Sequence, residues 1–291
     1  MNKVNIFCFG FGQVAKNFIN KLASENFHIN LSTTSTSETS QNIIHKINYK
    51  NYFFNNESYD DNLIEKLKEA DHILISIPPV KGVDIVIKNF SKVIENSNPK
   101  WITYLSATSV YGDHKGEWVN EESETKPTSF NGVARLEAEK SWLTLNKKKK
   151  IPVQIFRLSG IYSKEKNMLV RLKSGNAYLI NKENNFFSRI HLEDIGNILF
   201  RSLSKFKQGE IYNISDDRPS SSEELTLYSV KLLDIKKPET IDIKDLKSEI
   251  LKNFYKDSKK VNNKKMKIFF NYDLKFPTYV EGLSYIRNNF I

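Results

Sequence analysis

From Val4 to Leu158 the chain repeats one alternation, a short apolar run followed by a stretch with helical periodicity. Residues 4–9, Val-Asn-Ile-Phe-Cys-Phe, close at Gly10, and Gln13 to Ala23 then carry Val14, Phe18, Ile19 and Leu22 on one helical face. A second strand fits Phe27 to Leu31, with a Ser/Thr-rich loop after it. A helix fits Asn62 to Ala70, and the apolar run His72 to Ile77 stops at Pro78-Pro79. Gly82 to Glu95 reads as a helix, Trp101 to Leu105 as a strand, Val133 to Leu145 as a helix and Val153 to Leu158 as a strand. β-branched and aromatic strands that alternate with amphipathic helices predict an α/β fold, a doubly wound parallel sheet covered on both faces.

After Gly160 the rhythm loosens. Short strands at Ala177–Ile180 and Glu210–Ile214, a helix after Glu193, and helices over Ser222–Leu233 and near the end predict a smaller C-terminal lobe. The expected division is 1–160 for the sheet domain, rejoined by strands from about 186–216, and 161–291 for an interleaved small lobe.

Composition narrows the function classes. The 291 residues are 39% hydrophobic and 12% aromatic, with 11 Gly and 8 Pro, enough for a packed core. The single cysteine, Cys8, excludes an internal disulfide framework and fits a reducing compartment; inside a strand it reads as a core residue. No apolar run approaches the ~20 residues of a membrane span, and the first residues carry no basic lead or cleavage signal, so a cytoplasmic protein with no membrane partner is expected. The net charge of +10 raises nucleic acid as a partner. The lysines are scattered, however. Lys147 to Lys150 sit where a helix should end, and Lys252 to Lys267, with Phe254 and Tyr255, lacks the repeated aromatic spacing of a stacking surface. No nucleic-acid partner is expected. His28, His45, His72 and His114 show no metal-ligand spacing, and no metal site is expected.

Gly10-Phe-Gly-Gln-Val-Ala15 has the pattern Gly-x-Gly-x-x-Ala between the first strand and its helix. Gly10 permits the tight turn, Gly12 removes the side chain where a pyrophosphate would approach, and Ala15 lets helix and strand pack closely. The helix N-terminus then turns its free amides toward the phosphates. The alternative is a purely structural turn.

A longer set of motifs follows in order. Leu105-Ser-Ala-Thr-Ser-Val-Tyr-Gly-Asp113, Glu117-Trp-Val-Asn-Glu121 and Pro127-Thr128 precede Asn131-Gly-Val-Ala-Arg-Leu-Glu-Ala-Glu139. Phe156-Arg-Leu-Ser-Gly-Ile-Tyr162, Ser188-Arg-Ile-His-Leu-Glu-Asp194 and Ile211-Tyr-Asn-Ile-Ser-Asp216 complete them. Together they resemble the extended short-chain dehydrogenase/reductase superfamily, of the NAD(P)-dependent epimerase/dehydratase type, over about the whole chain. Ser76-Ile-Pro-Pro79 and the short glycine motif place the resemblance with an atypical branch. The resemblance implies a Rossmann-type sheet and a substrate-binding C-terminal lobe. It implies a cofactor held by Gly10, Gly12, Gln13, Val14, Thr34, Ser35, Thr36, Ser76, Ile77, Pro78, Ser106 and Arg135.

The family's catalytic pattern is a Ser/Thr, a Tyr that transfers a proton, and a Lys four residues after that Tyr. On this chain the matching positions read Ala107, Asn131 and Arg135. Asn has no titratable proton and cannot serve as general acid or base, whereas Arg keeps a charge that could hold a ribose hydroxyl. Tyr111, Thr108 and His191 remain as catalytic candidates, with Ser106 and Tyr162 beside them. Each also reads as a packing, turn-forming or hydrogen-bonding residue.

The expected function is therefore an NAD(P)-binding protein acting on an unidentified small molecule with non-standard or absent proton-transfer chemistry. The alternative is a non-catalytic dinucleotide sensor or scaffold on the same fold, and a homodimer is allowed. No carboxylate stands at the end of the second strand, where Asp or Glu would favour NAD, and Glu38 is the first acid. The Arg that would clamp a 2′-phosphate is also missing at Ser35. Hydroxyls of Thr34, Ser35 and Thr36 could donate to phosphate oxygens, which favours NADP slightly, with a flexible polar loop as the other reading.

Overall fold

The computed structural model describes residues 3–180, 182–246, 252 and 254–291. Two units interleave along the chain: Met1–Ala107, Phe130–Arg157 and Ile195–Tyr212 form the first, and Thr108–Ser129, Leu158–Asp194 and Asn213–Ile291 the second. The strands are β1 (Lys3–Phe9), β2 (His28–Ser35), β3 (Ser40–Ile44), β4 (Ile47–Phe53), β5 (His72–Ile75), β6 (Trp101–Ala107), β7 (Trp118–Val119), β8 (Val153–Leu158), β9 (Gly160–Tyr162), β10 (Arg189–His191), β11 (Ile211–Ile214) and β12 (Lys260–Val261).

Eight of them make one sheet in the order β11-β8-β6-β5-β1-β2-β4-β3. The pairs β1–β2, β1–β5, β5–β6 and β2–β4 are parallel, so the doubly wound sheet is the one expected. β5 is buried along its whole length and β1 over its last four residues. Such unbroken apolar runs are what a parallel strand covered on both faces requires.

The helices of this unit present apolar stripes to the sheet. In α1 (Gln13–Ser24) Val14, Ala15, Phe18, Ile19 and Leu22 are buried. After α2 (Leu63–Lys68), α3 (Ile85–Asn96) starts at Asp84, whose carboxylate accepts the amides of Val86 (2.9 Å) and Ile87 (3.0 Å). Phe90 of α3 stacks on Phe9 of β1 with ring centroids 5.4 Å apart, in a core that includes Phe7, Ile73, Tyr104 and Trp142. From α4 (Phe130–Lys149), the buried Glu139 meets Arg157 of β8. Nε and Nη2 of Arg157 both donate to Glu139, the shortest at 2.7 Å.

The strand readings need three corrections. β2 runs on through Ser35 where a loop was expected, and the antiparallel hairpin β3–β4 follows it. That hairpin turns through His45 (φ 44°) and Lys46 (φ 66°), two positive-φ residues without the Asn-Gly signal that marks such turns. Ala177–Ile180 forms only an isolated bridge, Leu179 to Thr240. Within the region expected to rejoin the sheet, β10 pairs with β9 in a separate two-stranded sheet and β11 alone joins the large one.

In the second unit α5 (Met168–Lys173), α7 (Ser222–Leu233) and the helix Tyr279–Phe290 surround a small core of Tyr162, Leu169, Tyr279, Leu283 and Ile286. Between β10 and this last helix stands Asp194, buried at the first turn of α6 (Leu192–Ser202). It accepts from the Tyr272 hydroxyl (2.6 Å) and the amides of Lys275 (2.7 Å) and Phe276 (3.1 Å). Among the described residues no helix is long and apolar enough to cross a membrane, and no group of three or more His, Cys, Asp or Glu could hold a metal ion.

The pair Glu139–Arg157, at 1% and 4% side-chain exposure, is the test of this packing. Glu139→Ala strands a buried guanidinium and should cost about 3–5 kcal/mol in denaturant unfolding. Glu137→Ala removes a partner of Lys140 in the open, at 61% and 60% exposure. It should cost under about 0.5 kcal/mol, as exposed pairs do.

Candidate functional site

The chain leaves β1 for β2 and β4 on one side of the sheet, then returns to β5 and β6 on the other. That reversal opens a crevice beyond the carboxyl ends of β1 and β5, the place where ligands bind in open α/β sheets. A cavity of about 690 Å3 lies there, lined by Gly10, Phe11, Thr34, Ser35, Thr36, Ile77, Pro78, Val80, Lys81 and the 54–57 loop.

Gly10 is fixed from both neighbouring strands. Its amide donates to Oγ1 of Thr34 at 3.0 Å. On the other side the Ser76 hydroxyl donates to the carbonyls of Gly10 (2.9 Å) and Phe9 (3.1 Å). The glycine has φ +81°, and a Cβ there would come within 2.7 Å of Cγ2 of Ile77 and 2.9 Å of Oγ of Ser76. Neighbouring protein atoms therefore demand a glycine at position 10.

Gly12 is different. Its backbone is extended (φ −82°, ψ −168°), and a Cβ would meet nothing within 4 Å. It occupies the N-cap of α1, yet no side chain caps that helix and its first turn holds no acid. Ser or Asn would be the better cap. The residue that follows, Gln13, is exposed, while Val14 belongs to the core. The helix thus opens with unfilled space and first-turn amides that intrahelical bonds do not use.

At the end of β2 the hydroxyls have separate tasks. Thr34 is buried, and its Oγ1 accepts from the Gly10 amide; Ser76 holds the same turn from β5. Ser35 accepts from Nδ2 of Asn51 (2.8 Å) and from the amide of Ser37 (3.2 Å), while Oδ1 of Asn51 accepts from Thr33 (3.0 Å). With both lone pairs occupied, the Ser35 hydroxyl is left as a donor. Thr36 and Glu38 are exposed.

Ser106 is buried in β6, and its Oγ has no hydrogen-bond partner among the described residues. Arg135 of α4 donates through Nη1 to the carbonyl of Leu105 at 2.7 Å. Its charge stands beside Asp84, whose pKa burial pushes up, and beside the Tyr104 hydroxyl, which burial pushes up as well. Asn131 is exposed in the first turn of α4, and Ala107 ends β6.

The catalytic candidates belong to the second unit. Thr108 opens the short turn Thr108–Tyr111. The buried Tyr111 donates to Oδ1 of Asn213 at 2.7 Å. Tyr162, whose pKa burial raises, directs its hydroxyl at the Thr278 carbonyl (3.4 Å) and abuts Gly282. His191 is buried against Tyr162 and Phe276, with its pKa lowered by burial to about 4. Its Nδ1 accepts from the Glu193 amide (3.3 Å), so the neutral ring carries its proton on Nε2, which has no partner among the described residues.

Of the residues expected around a cofactor, the cavity gathers Gly10, Thr34, Ser35, Thr36, Ile77 and Pro78. It does not include Gly12, Gln13, Val14, Ser76, Ser106 or Arg135. Phe11, Lys81 and the 54–57 loop line it without having been singled out. Phe11 is one of the variable positions of the glycine motif, and the other segments carry no pattern of their own.

Residues 80–215 match the model of the NAD dependent epimerase/dehydratase family. The likeness read from the motifs thus holds on the segment that carries most of them. No curated protein matches the chain. Among solved structures, a conserved protein of unknown function from Silicibacter pomeroyi is 27% identical at a TM-score of 0.84, with 99% of each chain covered. A dTDP-glucose 4,6-dehydratase from Bacillus anthracis in complex with NAD is 20% identical at a TM-score of 0.77, covering 99% of this chain and 96% of that one. A UDP-glucuronic acid 4-epimerase from Bacillus cereus in complex with NAD is 14% identical at 0.77, covering 98% and 99%. The fold is that of NAD-binding epimerases and dehydratases.

The two glycines should respond oppositely in thermal unfolding. Gly10→Ala, at positive φ and in contact with Ile77, should cost about 1–2 kcal/mol or more. Gly12→Ser supplies the missing cap and should leave the midpoint unchanged or raise it. A loss at position 12 equal to that at position 10 would show that protein packing demands both.

Proposed function

We propose that the first unit binds a nicotinamide dinucleotide on the Gly10–Val14 turn and that the chain acts on a small molecule. One observation carries this reading. Gly12 keeps open a space that no protein atom fills, at a helix start that a common side chain would cap better. Gly12 and the first-turn amides would hold the pyrophosphate, and Ser35 and Thr36 would face the adenosine ribose. The bound cofactor would supply hydride chemistry.

The chain's own residues give that chemistry little help with protons. Asn131 cannot ionise, and Arg135 is tied to the Leu105 carbonyl. A standard Ser-Tyr-Lys step is therefore absent, and turnover depends on another donor. The non-catalytic reading, a dinucleotide sensor or scaffold, is favoured by the commitment of Tyr111 to Asn213. A substrate-dependent change in nicotinamide absorbance separates the two.

NADP is the preferred form on this reading. The Ser35 hydroxyl, held as a donor, suits a phosphate oxygen, and no carboxylate stands at the strand end to repel it. The cavity's one acid, Glu57, is accompanied by Lys81. Isothermal titration calorimetry should find NADP tighter than NAD at low salt, and Gly12→Val should weaken both at least tenfold without unfolding the protein. NAD binding more tightly at low and physiological salt would refute the preference, and equal affinity in Gly12→Val would place the site elsewhere.

A further inference from the structure

A second cavity, of about 530 Å3, lies wholly within the second unit, among β9, β10, α5, α7 and the last helix. That volume is within the roughly 300–1,000 Å3 of small-molecule sites. Its walls are mostly carbon. Phe187 and Phe254 stack there with centroids 4.2 Å apart and planes 8° from parallel. Phe254 is 51% exposed, so the stack offers a flat aromatic surface.

Arg189 sets the polarity of this wall, and a second arginine nearby shows what is unusual about it. The guanidinium groups of Arg189 and Arg218 lie 5.9 and 5.4 Å from the Tyr279 ring centre. Arg218 is neutralised by Glu224 at 2.6 Å. Arg189 donates from Nη1 to the Phe187 carbonyl (3.0 Å), to Oγ of Ser220 (2.8 Å) and to the Ser220 carbonyl (3.4 Å), all neutral acceptors. Among the described residues no carboxylate stands within ion-pair distance of it. Asp216 is the acid whose charge acts on it most, from beyond ion-pair distance, and burial raises the pKa of that carboxyl. Lys166 and Arg171 also line the cavity against one acid, Glu165, which already faces Lys164 at 3.6 Å.

A cation held among carbon walls without a counter-ion is costly unless a ligand supplies one. We propose that this cavity binds a small amphipathic anion, with an aromatic or apolar body against Phe254 and a single carboxylate on Arg189. The inference rests on the reading that the chain acts on a small molecule. A planar guanidinium matches a carboxylate with two parallel hydrogen bonds. A sugar nucleotide would instead bring many hydroxyls to walls that are mostly apolar, and each group left unpaired is penalised.

The test uses two fluorescent probes of the same shape on the full chain, with and without saturating NADP. They are the anion 1-anilinonaphthalene-8-sulfonate and the neutral N-phenyl-1-naphthylamine. Wild type should bind one anion per chain at least tenfold tighter than the neutral probe, and naphthalene-1-acetate should displace it. Arg189→Gln should remove at least tenfold of the anion's affinity and leave the neutral probe within about twofold; Arg189→Lys should recover part of the loss. Equal affinity of wild type for both probes overturns the proposal, and this comparison needs no variant to fold. An equal loss of both probes in Arg189→Gln, or displacement by UDP-glucose where naphthalene-1-acetate fails, also overturns it. Anion-selective binding alongside a flat dinucleotide titration would refute the cofactor reading and leave this one standing, so the two fail separately.

Discussion

The first unit is organised by the clamp on Gly10. A parallel sheet that reverses direction beside β1 brings the ends of β2 and β5 to either side of one turn, and each sends a hydroxyl to it. Thr34 accepts the glycine amide and Ser76 donates to the glycine carbonyl. Both polar groups of a buried turn are thereby satisfied. The clamped turn leads directly into α1, at whose N-cap Gly12 leaves open space. Thr34 and Ser76 thus support the turn, and Thr34, Ser35 and Thr36 line the cavity beside it.

Buried charge divides the structure in a useful way. Glu139 with Arg157, and Asp194 with its three donors, are closed arrangements in which the protein supplies its own partners. Such groups hold elements in register and leave nothing for a ligand. Arg189 is open in the same sense that Gly12 is open: the surrounding residues do not complete it. Incompleteness of this kind, judged by whether the protein itself satisfies the group, separates binding surface from scaffold more sharply than residue type does.

The sequence was legible where one physical signal acted alone. The burial of β1, α1 and β5 writes a plain apolar pattern, and α7 covers Ser222–Leu233, the span its periodicity predicts. The β3–β4 hairpin was illegible, because β3 is an exposed edge strand with little apolar contrast and its turn uses His45 and Lys46 in place of glycine. β2 ran past its expected end because Thr33 and Thr34 are polar yet buried, each satisfied by a hydrogen bond that no periodicity shows. The glycine turn could be found from its pattern. The contrast between a glycine required by its neighbours and one required by none of them needed the three-dimensional structure, as did the finding that, among the described residues, no carboxylate lies within ion-pair distance of Arg189.

Hydrogen–deuterium exchange of the full chain, with and without saturating NADP, tests the central claim most directly because it reports position as well as binding. The account predicts slower exchange in peptides covering 10–16, the end of β2 at 34–37, and 77–82 after β5. Slowing confined to peptides of the second unit, or no change at 10–16 when NADP is bound, would contradict it.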